Sequence, residues 1–340
     1  MKKRSAFFIL CSLLGLTAIV CCVFWKELSI ELTAVVSSSQ LYCYWSRSNG
    51  IVELGQGKWD KEMLIPSRCV FFHETSCSPP DLTPRQACAV ESAARNNRNL
   101  NVFVLFFATG QFSKKSQEFA DILQTYDNVY IRRVRLSRYV IDTPLESWFL
   151  ANVREFSENR DWLYKDFHDY IRMLTLWKFG GVTLNLNSIV LAPLDELTTF
   201  AGVRDNRDMD IGVFGVDTST NFGEKFVNAC VEVIKNTNAD SYSRYKITRV
   251  ITEVLQQLCY QRDNRECRQF TIYPPEKFYP VSPYSRNADE MMTNMMKNAT
   301  TIHLFRTDYS RNDEADVAAI YRMAAKQHCP KIYEHAEKIF

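Results

Sequence analysis

The sequence lacks most of the patterns that announce a chemistry outright. Its five histidines form no H-E-x-x-H pair, which argues against a zinc metalloprotease. Its eleven glycines form neither a P-loop nor a G-x-G-x-x-G run, so kinases and dinucleotide enzymes are disfavoured. Pairs of the C-x-x-C kind do not recur, and a structural zinc site is not expected. No serine or cysteine stands in an evident nucleophile context. Nor is one charge in excess: the formal net charge is +2, without the basic patch of a nucleic-acid binder. Internal repeats and low-complexity blocks are missing too. What remains is an ordinary globular composition, 46% hydrophobic and 24% charged over 340 residues, enough for one large domain or two small ones.

One long apolar run stands near the start. Lys2, Lys3 and Arg4 precede an uncharged stretch from Ala6 to Trp25. At ~1.5 Å rise per residue such a helix covers about 30 Å, the thickness of a bilayer core. The leading basic residues keep the short tail, residues 1–5, cytosolic and direct the rest into a lumen. The run exceeds an ordinary signal-peptide h-region and has no A-x-A-like exit, so residues 6–25 read as an uncleaved transmembrane signal anchor. Residues 26–65, with Ser37-Ser38-Ser39 and Gly50 and no sustained period, read as a stem. The large domain, residues 66–340, is then lumenal. Cysteine usage agrees: Cys11, Cys21 and Cys22 lie in the anchor, and the others, from Cys43 to Cys329, are even in number, which suits an oxidising compartment. Cys259 and Cys267 are near enough for a local bridge; the other pairings stay open. Asn298-Ala299-Thr300 is a glycosylation sequon.

A regular alternation begins at Cys69. Cys69 to His73 is a short apolar strand ending at His73-Glu74-Thr75-Ser76. Thr83-Pro84-Arg85-Gln86 has the form of a capping box with proline at the first helical position, opening a helix to about Asn97. Asn101 to Phe107 is a second strand, Lys115 to Tyr126 a second helix, and Val129 to Leu136 a third strand. This β-α-β-α-β order predicts an α/β fold, a parallel sheet flanked by helices. Ligands bind such sheets beyond the carboxyl ends of the strands.

The most informative unit comes next. Leu163, Phe167, Tyr170, Ile171, Leu174 and Trp177 recur at helical spacing, and Asp169 and Arg172 fall three apart on one side of that helix. Gly180-Gly181 ends it, since glycine tolerates a left-handed cap. Val182-Thr183-Leu184 is a short strand, followed by Asn185-Leu186-Asn187 and then Ile189-Val190-Leu191. Two acids one residue apart, just past a buried strand, are how a rigid sheet edge offers oxygen ligands to a hard divalent cation. Here both positions are amides, which bring no charge and are also common turn formers. His303, in Thr301-Ile302-His303-Leu304, is a further candidate metal ligand, with a satisfied core histidine as the plainer reading.

Trp177-Lys178-Phe179-Gly180-Gly181-Val182 with Ile189-Val190-Leu191 resembles the centre of the α-1,4-glycosyltransferases related to lactosylceramide 4-α-galactosyltransferase (globotriaosylceramide synthase). Phe72-His73-Glu74-Thr75-Ser76, Cys88 to Arg95, Asp142-Thr143-Pro144-Leu145 with Trp148, Pro274 to Pro280 and Cys329-Pro330 look like further blocks of that family, in family order. The likeness covers residues 70–335 and implies a GT-A type fold, mostly parallel and Rossmann-like, behind an N-terminal membrane helix. It implies a hexosyltransferase of the Golgi membrane, single-pass type II. Such an enzyme moves galactose or N-acetylgalactosamine from a UDP-sugar to a glycosphingolipid with retention, with manganese as the family's metal; amides at the two ligand positions make manganese binding in this chain weak or absent. By position it places Glu74, Thr75, Ser76, Asp169, Arg172, Gly180, Gly181, Asn185 and Asn187 at the donor. Metal contacts would come from Asn185, Asn187 and His303, with Asn298 as a glycosylation site. Three departures stand out. Asn185 and Asn187 replace the aspartates of the D-x-D motif. Ser243-Arg244 stands where the family has Gly-Pro, and His303-Leu304-Phe305 where it has H-x-W. A relative that has lost catalysis and serves as a binding or partner subunit to another Golgi transferase is the alternative reading.

Overall fold

The computed structural model describes residues 46, 50–76, 80–158, 167–204, 209–236, 247–259, 265–280, 298–303 and 311–336. The predicted anchor, most of the stem, Cys43, Cys77, Leu163, Ser243-Arg244, Leu304 and Phe305 lie outside them. Among the described residues no helix is long and apolar enough to cross a membrane.

The core is a seven-stranded sheet ordered β3-β2-β1-β4-β7-β6-β8. Its strands are β1 (Cys69–Glu74), β2 (Asn101–Phe106), β3 (Val129–Arg133), β4 (Gly181–Leu184), β6 (Thr199–Val203), β7 (Met209–Val216) and β8 (Phe270–Tyr273). β1, β2, β3 and β4 are parallel, and β7 alone runs against its neighbours. Two further strands, β5 (Ser188–Val190) and β9 (Thr301–His303), form a separate antiparallel pair. The predicted parallel sheet is therefore present. The second half of the sheet, β6 to β8, has no counterpart in the sequence reading.

Both faces of the sheet are covered, which is why β1 reads as an unbroken apolar run. Cys69 and Phe71 face one hydrophobic layer, Val70 and Phe72 the other. Helix α1 (Pro84–Asn96) starts with the predicted capping box: Gln86 N donates to Thr83 Oγ1 at 3.3 Å, and Thr83 N donates to Gln86 Oε1 at 2.8 Å. Helix α2 (Lys114–Leu123) stops short of Tyr126, its last carbonyls closed by Gln124 N. β3 stops at Arg133, because Leu136 opens a short helix to Tyr139. Helices α3 (Glu146–Glu158), α4 (Phe167–Phe179), α5 (Asn221–Lys235) and α6 (Ile247–Leu258) follow. Phe167, Tyr170, Ile171 and Leu174 pack in the Phe71 layer with residues of α5 and α6. Helices α7 (Arg311–His328) and α8 (Pro330–Ala336) close the chain against α1, where Cys88 is bonded to Cys329. Cys259 and Cys267 form the expected local bridge, while Cys69 and Cys230 are buried thiols.

The end of the predicted stem is tied to the sheet. Arg133 N donates to Val52 O and Leu54 N to Arg133 O, both at 2.8 Å, and buried Asp60 binds Arg132 at 2.7 Å.

Candidate functional site

Three polar residues recur at spacing three along α4, Asp169, Arg172 and Thr175, with His168 beside the first. Neighbours at that spacing adjoin on a helix surface, so the three form a short oblique stripe. Asp169 Oδ1 lies 2.8 Å from His168 Nε2 and 3.7 Å from Arg172 Nη1, so the expected pair forms. Arg172 is buried and donates from Nη1 to Ile211 O at 3.4 Å. One turn further, Thr175 Oγ1 meets His73 Nε2 and the Tyr139 hydroxyl, each at 2.8 Å. His73 thus brings the carboxyl end of β1 against the stripe. Burial, then the nearby Arg172 and His168, hold its imidazole well below the usual histidine range, so it is neutral.

The end of β4 completes the site. Asn185 N donates to Gly212 O at 2.7 Å, and Asn187 N donates to Asn185 Oδ1 at 3.1 Å. That second bond is an Asx turn, the plain role foreseen for these amides. The turn delivers Ser188, which pairs in register with His303 of β9. Asp210 stands on the neighbouring strand, its carboxylate bound by Arg204, Gly212 N (2.6 Å) and the Tyr279 hydroxyl (3.2 Å). Its acidity is raised by Arg204 and by the bond from Gly212 N, which together outweigh burial. Burial holds His303 down at about 4; Asp210 opposes the shift, and Arg204 and Arg172 add to it.

Of the eleven buried side-chain polar atoms that make no hydrogen bond among the described residues, three in this region come from three different elements: His73 Nδ1, Arg172 Nε and Ser188 Oγ. Burying such atoms unpaired costs roughly 1–3 kcal/mol each. Their gathering around the carboxyl ends of β1 and β4 is what a site built for a polar ligand looks like.

Not every predicted residue belongs there. Glu74 Oε1 accepts from Ser76 N at 2.9 Å and Oε2 from Gln86 Nε2 at 3.1 Å. Its carboxylate is thus turned to α1 and spent on joining the β1 loop to the capping box, with Thr75 between. Gly180 and Gly181 lie at the opposite end of β4 from Asn185. Their φ angles are +62° and +87°, and a Cβ on Gly181 would collide with the Cys69 carbonyl. Both positions serve backbone shape and close strand packing. Asn298 is exposed, while Thr300 of its sequon is buried between Lys277 and Leu191. The sequence put His73 in the stretch that closes β1, at a ligand-binding end of the sheet, as a polar ring ending the run Val70-Phe71-Phe72, but it singled out neither Ser188 nor Asp210.

The expected manganese does not fit this donor set. Hard divalent ions are held chiefly by carboxylates. Asn185 has its amide oxygen in its own turn, Asn187 brings no charge, and the carboxylate of Asp210 is taken by Arg204, Gly212 and Tyr279. No group of three His, Cys, Asp or Glu side chains able to hold a metal occurs among the described residues. His303 is left as one neutral nitrogen beside an arginine-bound acid.

Two family descriptions match the chain. "Glycosyltransferase sugar-binding region containing DXD motif" matches residues 83–202, and "Alpha 1,4-glycosyltransferase conserved region" matches residues 219–336. Human alpha-1,4-N-acetylglucosaminyltransferase is 26% identical over 333 residues, 90% of this chain and 93% of that protein. Rat lactosylceramide 4-alpha-galactosyltransferase is 27% identical over 276 residues, 77% of this chain and 74% of that one. The chain thus matches an α-1,4-glycosyltransferase description over residues 219–336 and is similar to two enzymes of that kind along most of its length. Against the DXD description its departure is specific: residues 83–202 contain no Asp-x-Asp, and the Asx turn at Asn185-Leu186-Asn187 falls inside them. Among solved structures the PaToxG glycosyltransferase is a distant likeness, 13% identical with a TM-score of 0.42 over 76% of this chain and 86% of that one.

Proposed function

We infer that this chain is a Golgi hexosyltransferase of type II topology and GT-A architecture. It is anchored by residues 6–25, carries a stem over 26–65, and holds its transferase domain over 66–340. It moves a hexose or N-acetylhexosamine from a UDP-sugar to the 4-position of a glycosphingolipid sugar with retention. The observation that supports this reading is the coincidence of two things: matches to two glycosyltransferase descriptions over residues 83–202 and 219–336, and unpaired buried polar atoms where a parallel sheet binds its ligand. Arg172 supplies a permanent positive charge inside the site, which favours an anionic donor. Asn185 and Asn187 shape the turn that presents Ser188, and donor binding does not depend on a divalent ion.

The test compares wild type with an Asn185→Asp, Asn187→Asp double variant in UDP-sugar binding and transfer, with manganese or with a chelator. The expected outcome is that wild type binds equally in both conditions, and that only the double variant gains from manganese. A strict requirement of wild type for manganese would overturn the metal-independent part. The Asx turn also favours a second reading, a non-catalytic homologue that binds a partner transferase. Absence of transfer from every UDP-sugar under both conditions would install that reading; measured turnover would remove it.

A further inference from the structure

His73 is more closely specified than a buried histidine needs to be. Thr175 Oγ1 has three neighbours at 2.8 Å: His73 Nε2, the Tyr139 hydroxyl and the Ile171 carbonyl. The threonine has one proton to give, and the carbonyl can only accept. With that proton on Ile171 O, the lone pairs of Oγ1 receive Nε2–H of His73 and O–H of Tyr139, and all three contacts are hydrogen bonds. The single proton of the neutral ring is then on Nε2, and Nδ1 is a bare lone pair. The other tautomer would take the threonine proton from Ile171 and leave a buried N–H on Nδ1 without an acceptor. Orphaned buried donors are rarer and more costly than orphaned acceptors.

This lone pair lies in a residue only 6% exposed, and it accepts nothing among the described residues. It shares the site with the unpaired Nε of Arg172. A leucine would fill the same place without an unpaired nitrogen. The standing charge of Arg172 disfavours a cationic ligand beside it, so the group that suits Nδ1 is a neutral donor. The geometry points to His73 Nδ1 as the acceptor for one hydroxyl of the transferred sugar, making His73 a specificity-determining residue of the donor subsite. This rests on the reading of the site as a UDP-sugar site.

The first measurement is the nitrogen NMR spectrum of the histidine-labelled full-length chain in detergent, with His73→Leu to assign the ring. An unprotonated Nδ1 and a protonated Nε2 are expected; a protonated Nδ1 overturns the proposal. The second is binding of UDP-galactose and its 2-, 3-, 4- and 6-deoxy analogues. Wild type should lose about tenfold for one analogue, the worth of one hydrogen bond. His73→Leu should lose about tenfold for the parent sugar and nothing further for that analogue. Equal losses across the series in both proteins overturn the role of His73 while leaving the site reading intact. Failure of every UDP-sugar to bind wild type removes the site reading, and the role with it. Should His73→Leu fail to fold, Thr175→Val removes the acceptor that fixes Nε2–H and should erase the same discrimination.

Discussion

Strand β5 touches two buried polar clusters that differ in one respect. On the side of α1, Glu91 accepts from the Tyr126 hydroxyl (2.6 Å), Lys331 N (3.1 Å) and Ile332 N (2.8 Å), and Ser92 Oγ accepts Val190 N (2.9 Å) while donating to Ala89 O. On the side of α4, His73, Arg172 and Ser188 each keep a buried polar atom without a bond among the described residues. The first cluster is a lock. It fixes α8 to α1 beside the Cys88–Cys329 disulfide and gains nothing from a ligand. The second carries a standing desolvation cost that a ligand would remove. Polar burial therefore separates structure from function here only once its hydrogen bonds are accounted for.

The largest expected effect lies in the lock. Glu91→Ala orphans a hydroxyl and two backbone N–H groups and should cost more than about 3 kcal/mol in urea unfolding of the full-length chain. A loss below ~1 kcal/mol would break the comparison. Acid should act on the other cluster. His303 has its folded pKa depressed from 6.5 to about 4, so between those values the unfolded chain binds a proton that the native chain refuses. Stability should fall as pH drops through that window, by up to roughly 2–3 kcal/mol. His73, held neutral in the same way, adds to the slope, so His303→Asn should reduce it without abolishing it, and a slope unchanged by that variant would place its origin elsewhere. Arg172→Met sharpens the contrast further. It removes one partner of the Asp169 pair and the donor to Ile211 O, so stability should fall by about 1–3 kcal/mol. UDP-sugar affinity, read by calorimetry, should fall at least about tenfold.

The sequence carried the first half of this fold because each of its elements is locally determined. The capping box at Thr83, the glycine pair after Phe179 and the unbroken apolar strands needed no distant partner to be read. β6, β7 and β8 were not legible. β7 runs against its neighbours, β6 is bulged between Ala201 and Gly202, and β8 is half-exposed at the sheet edge, so none shows a clean period. The site followed the same division. Asp169 and Arg172 were visible through their spacing on one helix. His73, Ser188 and Asp210 come from separate strands, and only tertiary structure brings them to α4 and its turn. Glu74, Gly180 and Gly181 lie apart from this cluster for a related reason. Position in a family block says that a residue matters, but not whether it faces a ligand or its own backbone.

The smallest effect is the most discriminating, because it compares one residue type in one degree of burial. Ser92 and Ser188 are both fully buried, and both touch β5. Ser92→Ala would leave Val190 N without its acceptor and should cost about 1–2 kcal/mol. Ser188→Ala deletes a hydroxyl that has no partner among the described residues, so only its desolvation penalty disappears. The variant should be as stable as wild type, or more stable by about 0.5 kcal/mol, in thermal melts without ligand. Saturating UDP-sugar should reverse that order, since a hydroxyl facing a bound ligand contributes only when the ligand is present. If Ser188→Ala costs as much as Ser92→Ala in the absence of ligand, its hydroxyl is part of the lock, and the site loses one of the three atoms that define it.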